Sequence, residues 1–147
     1  MSSSVRGNQV LSGTWGEIWV DGEPILECKK IEVKPQVQRE DVQFGIDIDS
    51  KMTGIKVDIT ITVNQVYTRY NSIMKNYTSG KDVRAQIITK LNDPDAVGSQ
   101  MERYSIDNVW WNDIPLILFE KGALIEKELT GGCTASDIVS LDEIKVK

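Results

Sequence analysis

Between Ile55 and Val63 apolar and polar residues alternate without a break: Ile55, Val57, Ile59, Ile61 and Val63 share one phase, and Lys56, Asp58, Thr60, Thr62 and Asn64 the other. A period of two sends successive side chains to opposite faces, so this run predicts a strand with one face in a core and one in water. Ile31, Val33, Pro35 and Val37 alternate with Glu32, Lys34, Gln36 and Gln38 in the same way. Pro35 has no N–H to give to a ladder, which places this second strand at a free edge or at a bulge. Upstream, β-rich runs flank Asp21-Gly22, a strong hairpin signal. A third alternation, Val83, Ala85, Ile87, Thr89 and Leu91, ends at Asn92-Asp93-Pro94-Asp95, a turn built of turn-favouring residues. Further strands are expected at 100–109, 114–119 and 123–130, with Gly131-Gly132 ending the last of them. The tail 137–147 reads as one more strand or a short helix.

Val66, Tyr70, Ile73, Met74 and Tyr77 fall at helical spacing ahead of Gly80, a natural stop, and predict the one helix. Residues 40–54 are polar and acidic and contain Gly45 and Gly54, so they read as a long loop. The sum is a mostly β fold, a β-sandwich or barrel of about seven or eight strands with one flanking α-helix. All 147 residues are expected to form a single domain. Its core should include Ile31, Val33, Val57, Ile59, Ile61, Ile87 and Tyr70, the apolar phases of the strongest periodic runs.

Composition narrows the chemistry. The chain has no histidine, which removes the commonest general base and the commonest metal ligand together. No phosphate-cradling glycine loop occurs. Asp47-Ile48-Asp49-Ser50-Lys51 begins like a calcium loop, but Lys51 stands where an oxygen ligand is needed and the sixth position is Met52 rather than glycine. Asp93 and Asp95 are explained by the turn they sit in. Cys28 and Cys133 have no motif spacing and read as small hydrophobes. No catalytic, metal-binding or cofactor-binding residues are therefore assigned, no cofactor is expected, and the chain does not read as an enzyme. A net charge of −5 with scattered cations argues against tight nucleic-acid binding. No run approaches a membrane span and the start lacks an apolar leader, so the expectation is a chain neither exported nor stably associated with a membrane. Of Trp110 and Trp111, adjacent on a strand, one should enter the core and the other be covered by a neighbouring subunit. The alternative is a monomeric β-sandwich module that binds a ligand or carbohydrate.

The ordered segments 12–27, the polar stretch, the helix before Ser79-Gly80-Lys81, and Leu91-Asn92-Asp93-Pro94-Asp95 ahead of Glu102-Arg103-Tyr104 resemble the tail tube proteins of contractile-tailed phages, of the type found in the PBSX defective prophage. The resemblance spans about residues 6–130, and 131–147 departs from it. It implies a structural subunit that stacks on itself as hexameric rings in the inner tube of a phage or headless bacteriocin tail. The partners it implies are the sheath protein, a baseplate or initiator protein and a tail terminator, with DNA only as passing cargo. The location it implies is the particle tail, and the bacterial host cytoplasm during assembly. Within that reading, Glu32, Lys34, Gln36, Lys56, Asp58, Thr60 and Thr62 are expected to face the lumen. Val42, Phe44, Ile46, Ile48 and Met52 are expected to contact the next ring, through a loop that is mobile until it docks.

Overall fold

The computed structural model describes residues 5–146. The chain opens with β1 (Gly16–Val20) and β2 (Glu23–Pro24), joined at Asp21-Gly22, where both residues have positive φ as a tight hairpin turn demands. Two long strands follow, β3 (Cys28–Phe44) and β4 (Asp47–Asn64), then the helix α1 (Asn71–Thr78). The rest comprises β5 (Ala85–Leu91), β6 (Glu102–Asp113), β7 (Glu126–Cys133) and β8 (Ile138–Asp142). All neighbours are antiparallel, in the order β2-β1-β5-β6-β7-β4-β3, with β8 added on β6. The fold is mostly β, as the alternations predict.

β6 joins two layers. Its first half pairs with β5 and β8, and its second half with β7. Between them the register slips by a residue, and Asn108 takes φ 54. A bulge of this kind bends a strand from one sheet into the next. Between the layers lie Val57, Ile59, Ile61 and Val63 of β4, Ile87 of β5, Ile106, Val109 and Trp111 of β6, and Leu129 of β7. Of the predicted core, Val57, Ile59, Ile61, Ile87 and Tyr70 are buried, whereas Ile31 and Val33 are only partly covered. Their strand, β3, ends the sheet path and lacks a neighbour on one side, which also accommodates Pro35.

Four expectations need correction. Residues 40–54 are not a long loop: β3 and β4 run on as one paired hairpin to Phe44 and Asp47, closed by Gly45 at φ 64 and Ile46. The backbone of this tip has its hydrogen-bond partners within the subunit, so its order does not wait for docking. The apolar run 114–119 forms no strand. Gly131 and Gly132 do not end β7 but sit inside it, paired with Trp111 and Trp110. The helix starts at Asn71, leaving Val66 outside it and 65% exposed. At its C-terminus the amides of Ser79, Gly80 and Lys81 donate back to the last turn, and Gly80 takes φ 84. Of the tail, 138–142 is a strand, and Lys147 lies outside the described residues.

Candidate functional site

In the β3–β4 ladder Glu32 stands opposite Thr60, Lys34 opposite Asp58, Gln36 opposite Lys56, and Thr62 opposite Lys30. Directly opposed residues share a face, so the seven polar residues singled out from the sequence come together on one surface, the reverse of the core face. β7 extends it, with Thr130 beside Thr60, Gly132 beside Asp58 and Glu128 beside Thr62. The surface mixes both signs of charge, and Lys56 Nζ comes within 4.0 Å of Asp58 Oδ1. It binds through no concentrated field; it presents a wet, mixed-charge wall on a rigid, core-backed sheet.

The wall ends at Trp110. Its indole lies over Gly132, where a Cβ would be 3.0 Å from Cζ2, and Arg84 stacks on the ring with Cζ 4.9 Å from its centroid. Trp111 points into the core and is 8% exposed. Behind it, Tyr77 of α1 accepts a hydrogen bond from the Trp111 amide at 3.1 Å and donates one to the Val83 carbonyl at 3.1 Å. The helix is thereby tied to the corner of the sheets. With Arg84 stacked on Trp110, the indole is not the bare platform that a sugar ring requires.

The hairpin tip presents its apolar residues differently from expectation. Val42 and Phe44 pair with Asp49 and Asp47 on one face, and Ile48 and Met52 pair with Gln43 and Arg39 on the other. Ile46 crowns the turn and is 98% exposed; Phe44 and Ile48 are exposed by about two thirds. The tip is thus an apolar-studded finger with contacts on both sides and nothing within the subunit against them.

Two polar arrangements escaped sequence reasoning. Arg69 donates from Nε and Nη2 to the Glu27 carboxylate and from Nη1 to Glu23 at 2.8 Å, while stacking over Tyr67. Glu27 is 5% exposed, and the pair fastens the β2–β3 connection to the segment entering α1. Lys127 is 3% exposed and donates to the Leu116 carbonyl at 2.9 Å. It occupies the apolar phase between Ile125 and Leu129, the one signal that marks it in the sequence. Asp93, also buried, accepts from the Asp95 and Ser12 amides, both at 2.9 Å. It is a turn residue that also fastens the N-terminal segment.

Burial pushes the thiols of Cys28 and Cys133 above their ordinary value, which disfavours the nucleophilic thiolate. The phenols of Tyr70 and Tyr104 are raised for the same first reason, desolvation. Asp47 and Asp49 lie along an extended strand rather than around a calcium loop. Among the described residues no cluster of three acidic or cysteine side chains is placed to hold a metal ion, and no helix is long and apolar enough to cross a membrane.

The family described as "Phage tail tube protein" matches residues 3–142. The chain belongs to that family. Among solved structures, this tail tube chain is similar to one from a contractile injection system sheath–tube complex in the extended state, with TM-score 0.67 and 10% identity over 95% of this chain and 100% of the other. It is also similar to a chain of the anti-feeding prophage tube-terminating cap, with TM-score 0.66 and 9% identity over 95% and 96%. A third likeness is to a sheath/tube terminator of the first system, with TM-score 0.63 and 11% identity over 85% and 91%. At such identities the likeness is one of fold. No curated protein matches the chain by sequence. Membership of a tail tube family makes the chain a structural protein and not an enzyme.

Proposed function

We propose that the tail tube chain acts as one unit that closes into hexameric rings, stacked as the inner tube of a contractile phage or phage-tail-like particle of the PBSX type. The single observation that carries this reading is the polar face of β3, β4 and β7, backed by the core and bounded by the unpaired outer edge of β3. A free edge of 17 residues invites pairing with another chain. When the edge is closed by neighbouring subunits, the polar face becomes the wall of a channel. Glu32, Lys34, Gln36, Lys56, Asp58, Thr60 and Thr62 then line the lumen, and their mixed charge lets DNA or another cargo pass without tight binding.

The hairpin finger is the ring-to-ring contact. Val42, Phe44, Ile46, Ile48 and Met52 have no partner in the subunit, and a finger apolar on both sides suits insertion between two subunits of the next ring. The sheath–tube, cap and terminator contexts of the similar structures support a sheath protein, a terminator and a baseplate or initiator protein as further partners. The particle tail is then the working location, and the host cytoplasm the site of assembly.

The test is negative-stain microscopy of the concentrated protein beside a variant whose residues 41–53 are replaced by a short Gly/Ser linker. The unaltered chain should form tubes. The variant should keep its β-type circular dichroism and form single rings without tubes. Tubes of normal length from the variant would refute the finger contact, and a chain that stays monomeric at high concentration would refute the tube itself.

A further inference from the structure

Between β6 and β7 the chain leaves the sheet and exposes large apolar side chains: Ile117 is 85%, Phe119 70% and Leu124 97% exposed. Soluble surfaces seldom gather so many in one short segment without a partner. This arm is held in place. At its base the Lys127 ammonium donates to the Leu116 carbonyl at 2.9 Å, and the Gln65 amide donates to the Ile125 carbonyl at 2.9 Å. At its tip the Ala123 amide donates to the Glu120 carbonyl at 3.2 Å, and Gly122 takes φ 85, the left-handed conformation such a turn favours in glycine. A segment shaped in advance loses little freedom when it docks.

Elsewhere on the same chain a cleft of about 790 Å³ opens between β1 and β3, the two strands where the sheet path fails to close. Ile18, Ile25, Val33 and Ile106 form its apolar floor, Leu26 stands at its mouth, and no residue of the arm lines it. Lys30 and Lys90 at its rim form no ion pair among the described residues, and neither does Glu120 at the arm's tip. An apolar floor inside a charged rim is the anatomy of a protein interface. The arm offers the complementary pieces, apolar flanks and a carboxylate at the end. Because arm and cleft lie apart on one chain, their mating is head to tail, the arrangement that generates closed rings when the rotation permits.

We propose that the 114–125 arm of one subunit seats in the β1/β3 cleft of the next copy of this chain, making it the lateral contact within a ring. The proposal rests on the tube reading and adds to it the surface that joins neighbours side by side.

The test uses two full-length variants. Ile117→Ser with Phe119→Ser strips the arm. Leu26→Asp closes the cleft to apolar side chains, at a position 90% exposed where folding does not depend on the leucine. Circular dichroism should match the unaltered chain in both, and each alone should sediment as a monomer without rings. Mixed one to one they should form dimers, because one intact arm then meets one intact cleft, and the dimers should not grow. Rings from either variant would overturn the arm contact while leaving the tube standing. Two monomeric variants that give no dimer on mixing would show that the arm docks elsewhere, on a sheath-type partner for example, and would also overturn it. An unaltered chain that never assembles would remove the tube reading and this proposal together.

Discussion

Gly131 lies so close beneath the strand carrying Trp110 that a Cβ there would stand 2.1 Å from the Trp110 carbonyl oxygen. At Gly132 the same test meets the Val57 carbonyl oxygen at 2.8 Å. Both obstacles are backbone, which cannot rotate away as a side chain can. Gly131→Ala should therefore cost about 3 kcal/mol and Gly132→Ala about 1–2 kcal/mol, in the range for overpacked sites. Gly54→Ala, with nothing near its Cβ and no positive φ, should lie within about 0.5 kcal/mol of the unaltered chain. Urea midpoints at constant slope measure all three, and equal effects at the three positions would contradict the packing described.

The Arg69–Glu27 pair makes a second prediction. Removing the guanidinium leaves a carboxylate that is 5% exposed without its cation, whereas Arg69 itself keeps 20% of its side chain in water. Arg69→Met should cost about 3 kcal/mol, the lower end of what a stripped buried charge costs, because water partly replaces the lost partner. Adding Glu27→Gln to that variant should restore part of the loss. Additive losses in the double variant would mean that the two side chains do not act as a pair.

Stability should also respond to alkali with a defined sign. Desolvation raises Cys28 and Cys133 from their ordinary 9.0, and Tyr70 and Tyr104 from 10.0. For each, the unfolded chain loses its proton first, so the stabilisation is whole below the ordinary value and disappears as pH rises through the folded one. Denaturation midpoints should hold from neutrality to about pH 9 and then fall. In a variant with Cys28→Ala and Cys133→Ala the fall should begin nearer pH 10. A midpoint unchanged through pH 11 would contradict the burial of these groups.

The strands were legible where one face meets a core and the other meets water, as from Ile55 to Val63. Beyond Gly54 toward the tip neither face meets the core, and the skipped pairing at Thr53 reverses the phase of β4. Alternation there carries no consistent message, and acidic residues with glycine mimic a loop. Gly131-Gly132 reads as a breaker because the reason for two glycines, the approach of Trp110, comes from a strand about 20 residues away. The run 114–119 is apolar enough for a strand, yet its side chains serve a surface rather than the core. The polar face was legible residue by residue, because a ladder in register carries the alternation of both strands onto common faces. The Arg69–Glu27 pair joins residues 42 apart, and no local pattern marks it.

The most direct measurement is a cryo-electron microscopy reconstruction of tubes assembled from the purified chain, at a resolution that shows side chains. The account predicts Lys34, Asp58 and Thr60 on the wall of the channel, with Ile59 and Ile61 behind them in the subunit core. A tube whose channel is lined by another face, with Lys34, Asp58 and Thr60 turned to the outside, would contradict it.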